Sequence, residues 1–153
     1  LTTAGAIYHW GYNGFGQVGD TTTTNKTTPG TIYAGPFHRI FGDWTAQYYS
    51  ERSPHFATYN NVSYGVGYNG NGNIGNGTST SPVTSFDLIK LPSDFSIVDI
   101  GSIMTAALQQ TTYVALSADG RLYAWGYNGQ NNVTADTTVN CLAPVKITLP
   151  LGA

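Results

Sequence analysis

Apolar and polar residues alternate on both sides of a short turn sequence at three places along the chain. The clearest example runs from Tyr113 to Trp125, with Asp119-Gly120 in its middle. Two other segments carry Ala4-Gly5 and Asn60-Asn61 at the corresponding place. Alternation with a period of two predicts strands with one buried face, and such dipeptides between them favour β-hairpins. No segment has a 3.6-residue apolar period, so the pattern predicts an all-β fold with almost no helix.

A four-residue string shows that the hairpins belong to a repeat. Gly-Tyr-Asn-Gly begins at Gly11, Gly67 and Gly126, which gives spacings of 67 − 11 = 56 and 126 − 67 = 59 residues. A polar, turn-rich stretch and a proline that opens a short strand follow each copy, and two repeats have one more strand before the hairpin. Four strands per repeat are the content of one propeller blade. We expect one domain, 1–153, of about two and a half tandem four-stranded blades, with repeats of about 1–56, 57–115 and 116–153.

The repeat resembles the regulator-of-chromosome-condensation repeat. The segments that carry the resemblance are Tyr8-His-Trp-Gly-Tyr-Asn-Gly-Phe-Gly-Gln-Val-Gly19 and Val114-Ala-Leu-Ser-Ala-Asp-Gly-Arg-Leu-Tyr-Ala-Trp-Gly-Tyr-Asn-Gly129. The resemblance implies a β-propeller of four-stranded blades in which Trp10 and Trp125 are core aromatic residues. The second repeat departs from the pattern, because Val66 stands where the other two have Trp.

Two insertions relative to that family pattern direct attention to one face of the molecule. Gly42 and Ala57, like Gly101 and Leu116, are fifteen positions apart (57 − 42 and 116 − 101) where the family has roughly five. Each insertion is either a longer loop or a strand extension, and loops on one face of a rigid scaffold are common binding sites. The first insertion combines aromatic rings with short polar and charged groups, which suits a sugar or protein ligand. We therefore predict a ligand-binding surface formed by Trp44, Gln47, Tyr48, Tyr49, Glu51, Arg52 and His55; the alternative is that these side chains pack on their own blade or on a neighbouring subunit.

Charge and reactive groups narrow the function. Only 9% of the residues are charged and the net charge is −2, which argues against nucleic acid and against anionic membrane surfaces. No apolar run is long enough to insert into a membrane. The three histidines and the lone Cys141 show no metal-ligand spacing, and the carboxylates form no catalytic pair. We expect no enzymatic activity, no metal and no cofactor.

Few charges combined with abundant Thr, Asn, Gly and Tyr resemble the outer proteins of bacteria and their viruses. The first hypothesis is therefore an extracellular recognition module, at the cell surface or on a virion, such as the receptor-binding tip of a fibre. Its partner would be a surface glycan or a protein receptor. The alternatives that the family resemblance implies are an intracellular protein-interaction propeller and a proteinaceous enzyme inhibitor.

The incomplete set of blades predicts association. About two and a half blades cannot close a ring, and unpaired strand edges favour pairing with other chains. A monomer is expected to expose inner-strand residues such as Ile97, Val98 and Ile100. We therefore expect a homo-oligomer, by analogy with viral fibres a homotrimer.

Overall fold

The computed structural model describes residues 1–33, 35–42, 52–105 and 110–149 of the chain. No α-helix occurs within these ranges, in agreement with the missing 3.6-residue period. The strands, in chain order, are β1 (Ile7–Gly11), β2 (Lys26–Tyr33), β3 (Arg39–Gly42), β4 (His55–Tyr59), β5 (Val62–Gly67), β6 (Val83–Leu88), β7 (Ile97–Thr105), β8 (Gln110–Ser117), β9 (Leu122–Gly126) and β10 (Cys141–Ile147).

The strands form three antiparallel sheets. One four-stranded sheet has the order β3-β4-β5-β6, a second has the order β10-β9-β8-β7, and β1 pairs with β2. The two-stranded sheet corresponds to the last two strands of a blade, so the described residues form about two and a half blades, as the repeat predicted. We number the blades 1 to 3 along the chain. The sheets are out of phase with the sequence repeats, because a sheet ends at Leu88 and the next begins at Ile97.

The three predicted turns are present, but only those at Asn60-Asn61 and Asp119-Gly120 join two strands; at Ala4-Gly5 the amide of Thr2 donates to the carbonyl of Ala6 and no described strand precedes the turn. The two hairpins differ in form. Asn60 and Asn61 both have positive φ, 48° and 62°, and form a two-residue turn between β4 and β5. The turn before Arg121 is one residue longer: the amide of Ser117 donates to the carbonyl of Arg121, and Gly120 has φ 81°. Structural counterparts in blades 2 and 3 are therefore 58 residues apart in the strand before the turn, as Tyr59 and Ser117, and 59 apart in the strand after it, as Tyr64 and Tyr123.

The second insertion is a strand extension. β7 and β8 continue their ladder through Ile103 opposite Thr112 and Thr105 opposite Gln110. This part of the ladder extends past the end of β9, where Gly126 pairs with Thr112, and Ile103 is 58% exposed. Of the first insertion, residues 43–51 lie outside the described residues.

The hydrophobic core lies between blades. Trp125 is fully buried, and its indole Nε1 donates to the carbonyl of Asn73 in the preceding blade at 2.8 Å. The core role expected for Trp125 is confirmed, whereas the same expectation for Trp10 is wrong, because Trp10 is 55% exposed. Among the described residues no preceding blade lies beside β1 to cover this indole.

The expectation that a monomer exposes its inner strands is also wrong in part. Ile97 is 5% exposed and belongs to the core between blades 2 and 3, and Ile100 packs against that core. Adjacent blades of one chain cover these side chains. An incomplete ring of blades therefore buries more of its apolar inner-strand surface than we expected.

A buried asparagine organises each long loop that follows the third strand of a blade. Asn69 is 0% exposed: its Oδ1 accepts the amide of Ile74 at 2.9 Å, and its Nδ2 donates to the carbonyls of Thr78 and Thr80 at 3.1 and 3.2 Å. Asn13 and Asn128 repeat this arrangement in the other two blades. Backbone groups of an irregular loop are thereby satisfied without a strand partner.

Replacing Asn69 by Ala is expected to lower the free energy of unfolding by at least about 3 kcal/mol. The change leaves the buried amide of Ile74 and the part-buried carbonyls of Thr78 and Thr80 without this partner, and each unsatisfied buried group costs about 1–3 kcal/mol. Ser79→Ala, at an exposed position of the same loop, is the matched control and should change stability by less than about 0.5 kcal/mol. Urea unfolding followed by circular dichroism measures both, and equal stability of the two variants contradicts the organising role of Asn69.

Candidate functional site

The blades have two ends, and the candidate binding residues lie at both. We call one end the loop face; it carries the loops 12–25, 68–82 and 127–140 and the segment before Pro54. The opposite end, the turn end, carries the turns at Gly5, Asn60-Asn61 and Gly120. The connections from one blade to the next also pass through the turn end.

Five of the seven residues predicted to form the ligand surface, Trp44, Gln47, Tyr48, Tyr49 and Glu51, lie outside the described residues. Arg52 and His55 are described, and both belong to the loop face. Arg52 is exposed, and its guanidinium carbon lies 5.2 Å from the ring centroid of Phe15 and 5.3 Å from that of Tyr68. These rings come from the loops of blades 1 and 2 and meet edge to face. Arg52 thus places a positive charge over the Phe15–Tyr68 ring pair, which joins two blades.

His55 joins the blades beneath Arg52. Its ring lies 4.6 Å from the ring of His9, centroid to centroid. Each Nδ1 lies 3.3 Å from a backbone carbonyl oxygen of the blade 1 loop, that of Gln17 for His55 and that of Val18 for His9. Burial lowers the pKa of His9 and outweighs the opposite effect of the Val18 carbonyl. His55 is therefore part of the junction between blades 1 and 2.

The tyrosines of the repeated tetrapeptide cover their own turns. A Cβ atom at Gly14 would collide with the hydroxyl end of Tyr12, and the same holds for Gly70 with Tyr68. Glycine at the last position therefore leaves room for the ring to lie over the loop. The rings remain accessible, with Tyr12 44% exposed, so the loop face presents one tyrosine per blade.

The sequence analysis missed an aromatic pocket at the turn end, between blades 1 and 2. The cavity has a volume of about 220 Å³ and is lined by Tyr33, Gly35, Pro36, Phe37, Tyr59, Tyr64 and Phe86. Phe37 is 9% exposed, and the rings of the other four aromatic residues contact it with centroids 5.7–6.4 Å away. The sequence signal for this pocket is the concentration of aromatic residues in strands β2, β4, β5 and β6, which the lengths of the insertions do not reveal.

Electrostatic features elsewhere are structural. The Asp20 carboxylate lies 2.5 Å from Lys26 Nζ. Desolvation would raise the pKa of Asp20, but hydrogen bonds from Lys26 and Thr22 outweigh it and lower the pKa to about 2. Burial raises the pKa of the partly exposed Cys141 thiol, which disfavours a nucleophilic thiolate. In the described part of the chain no three His, Cys, Asp or Glu side chains are grouped to hold a metal ion.

Burial of the His9 imidazole predicts a loss of stability in mild acid. Because the pKa of His9 is lowered in the folded protein, the unfolded chain binds a proton more readily, and the free energy of unfolding falls as the pH drops below about 6.5. His9→Gln is expected to flatten this dependence between pH 7 and pH 5, whereas His38→Gln, at an exposed position, should retain it. Thermal unfolding at several pH values measures the slopes; an unchanged slope in His9→Gln contradicts the prediction.

The chain is similar to known proteins both in sequence and in fold. No family model matches the chain. The ultraviolet-B receptor UVR8 of Arabidopsis thaliana is 23% identical over 153 residues, which are 98% of this chain and 32% of the receptor. None of the described residues forms a helix that is long and apolar enough to cross a membrane.

The chain is similar to several solved structures in the arrangement of its blades, although the sequence identity is low. Human WBSCR16 superposes with a TM-score of 0.69 at 16% identity, over 97% of this chain and 34% of that one. Prp20p from Saccharomyces cerevisiae gives 0.71 at 17% identity, over 97% and 35%, and yeast RCC1 (Prp20) bound to Kap60 gives 0.68 at 19%, over 94% and 33%. The chain spans about a third of each of these proteins. It therefore has the fold of consecutive blades of a regulator-of-chromosome-condensation type β-propeller.

Proposed function

We propose that this chain is a recognition module that binds a protein partner through its loop face. The supporting observation is the Arg52 side chain, which is exposed and lies over the rings of Phe15 and Tyr68. Arginine and aromatic residues are enriched among the residues that dominate protein interfaces. Here they lie on the same face as Gly42 and Arg52, the described residues on either side of residues 43–51.

The named relatives are in keeping with a protein partner. One superposed structure is a complex of yeast RCC1 (Prp20) with Kap60, and the structure of Prp20p is described together with its binding properties to Gsp1p and histones. These partners belong to those proteins. What we carry over is only the use of a blade scaffold to bind proteins. We also propose that the chain is not itself an enzyme, since no catalytic arrangement is found among its described residues.

Removing the Arg52 side chain is expected to weaken partner binding at least tenfold without altering the melting temperature by more than about 2 °C. Its cation–π contacts are at the surface, where they contribute only about 0.5–1 kcal/mol to stability. Arrays of purified cell-surface and intracellular proteins, probed with the wild-type chain and with Arg52→Ala, measure the effect. Lys146→Ala removes a positive charge at an exposed position of β10 and is the matched control.

The double variant Tyr48→Ala, Tyr49→Ala tests the remainder of the predicted surface. It is expected to abolish binding while leaving thermal unfolding nearly unchanged. Unfolding or failed assembly of this variant means that the two rings are structural, and unaltered binding by both it and Arg52→Ala contradicts a partner site on the loop face.

A second candidate function is an extracellular adhesin that binds a cell-surface glycan. It is favoured by the low proportion of charged residues, 9%, and by the tyrosines on the loop face. Aromatic faces stack on sugar rings, and neutral polar groups then fix the orientation. A glycan array probed with the same variants separates the two candidates. The adhesin is favoured if the wild-type chain binds glycans but no protein, and if Arg52→Ala loses the glycan signal.

The exposed Trp10 supports the proposed homotrimer. In blade 3 the equivalent Trp125 is buried against the loop of the preceding blade and donates to the Asn73 carbonyl. Blade 3 has a counterpart of that loop around Asn132, which no other blade covers among the described residues. Docking of Trp10 of one copy onto this loop of the next repeats the existing blade junction and links copies head to tail.

Light scattering on the purified chain tests this assembly. The wild type is expected to have three times the chain mass of 16.3 kDa, and Trp10→Ser is expected to dissociate to a monomer. Tyr8→Ser, which removes an exposed ring from the same strand, is the matched control. A folded wild-type monomer at micromolar concentration contradicts the trimer.

A further inference from the structure

We propose that the aromatic pocket between blades 1 and 2 binds a quaternary ammonium group, such as the head of a choline-type ligand or a trimethylated lysine of a partner protein. This pocket lies at the turn end, away from the loop face, so the inference is independent of the function proposed above. Aromatic rings attract cations through the negative faces of their π-systems within about 6 Å.

The walls of the pocket leave a space between ring faces. Tyr33, Tyr59 and Tyr64 each contact Phe37, at centroid distances of 5.8, 6.4 and 6.0 Å, and their planes are steeply inclined to its plane. None of these three tyrosine rings contacts another of the three within the described part of the chain. The three tyrosine rings therefore stand around Phe37, which forms the floor, and the cavity of about 220 Å³ lies among these rings.

The next blade junction shows how this protein fills the equivalent space with a cation of its own. Phe95 is the counterpart of Phe37, and Tyr123 packs edge to face on it with centroids 4.9 Å apart. The guanidinium of Arg121 lies 5.5 Å from the Phe95 ring centroid. Asp94 and Asp119 hold that guanidinium through hydrogen bonds of 2.8–2.9 Å. The junction between blades 2 and 3 is thus closed by a cation against an aromatic floor.

Among the described residues at the junction between blades 1 and 2, no cation takes the place of Arg121 and no carboxylate takes the place of its anchors. The residue that pairs with Tyr59 across the hairpin is Val62, at the place where Arg121 follows the turn in blade 3. The residue before Phe37 is Pro36, where Asp94 precedes Phe95. Ser117 and Pro144 in blade 3 correspond to Tyr59 and Phe86, so the pocket has gained two rings. Loss of the internal cation together with gain of rings leaves a site for an external one.

The lining selects the kind of cation. None of the residues that line the cavity is charged, and its walls are almost entirely apolar. A lysine ammonium or a guanidinium needs hydrogen-bond acceptors when it leaves water, as Arg121 finds in its two aspartates. A sugar has several hydroxyl groups that would lose their partners here, at about 1–3 kcal/mol each. A quaternary ammonium makes no hydrogen bonds and gains from ring faces alone.

Calorimetry and NMR titration with choline test the inference, with 3,3-dimethyl-1-butanol as a neutral ligand of the same shape. Choline is expected to bind at least tenfold more tightly than the neutral isostere, with chemical-shift changes confined to the turn end. A peptide with trimethylated lysine is expected to bind at least tenfold more tightly than the same peptide with unmodified lysine. Equal binding of choline and its isostere overturns the inference in favour of a plain apolar pocket. Binding of a proline-rich peptide without choline binding overturns it in favour of an extended-peptide site.

Two pairs of variants locate the site. Tyr59→Leu removes a ring face and is expected to weaken choline binding at least tenfold, whereas Tyr59→Phe keeps the face and should bind within twofold of the wild type. Val62→Arg supplies the covering cation of the next junction and is expected to weaken binding at least tenfold, whereas Val62→Gln should not. Thermal unfolding verifies that each variant is folded. If Tyr59→Leu fails to fold, the Val62 pair decides: unchanged choline binding in Val62→Arg overturns the assignment.

Discussion

The buried asparagine in each Gly-Tyr-Asn-Gly string is the interaction on which the rest of the structure depends. A blade of this kind has a long loop between its third and fourth strands, and such a loop has no ladder to satisfy its backbone. The fully buried Asn69 supplies both a hydrogen-bond acceptor and a donor, which bind backbone groups five to eleven residues further along the chain. The loop is therefore rigid enough to act as a packing surface, and the Asn73 carbonyl within it receives the indole of Trp125. Order within one blade thus fixes the junction with the next.

The junctions differ although the blades repeat. Between blades 2 and 3 the core contains Trp125 and Phe95, and Arg121 covers it at the turn end. Between blades 1 and 2 the core is smaller, with Ile7 and Phe37 at its centre, and the aromatic pocket opens at its turn end. A repeat protein is held by contacts between neighbours, so a few substitutions at one junction change that surface while the other stays intact. The two proposed sites, the Arg52 contact and the aromatic pocket, both lie at the junction between blades 1 and 2.

Sequence reasoning predicted the elements well because their causes are local. Alternating apolar residues and turn dipeptides depend on residues close together in the chain, so the strands around Asn60-Asn61 and Asp119-Gly120 could be predicted. The grouping of four strands followed from the repeat. The candidate site was harder: an insertion shows where a loop has grown, but it does not show which rings meet. Arg52 was identified, whereas its partners Phe15 and Tyr68 come from loops of two different blades.

By itself the sequence determined an all-β chain of about two and a half blade repeats, because strand period, turn chemistry and repetition are written in consecutive residues. Only the tertiary structure decided which equivalent residues have equivalent surroundings. Trp10 and Trp125 have the same place in the repeat, yet one is 55% exposed and the other is fully buried. The aromatic pocket likewise joins residues from Tyr33 to Phe86 across two sheets. Burial and cavity shape depend on which blade lies beside which, and residues distant in the chain set that neighbour.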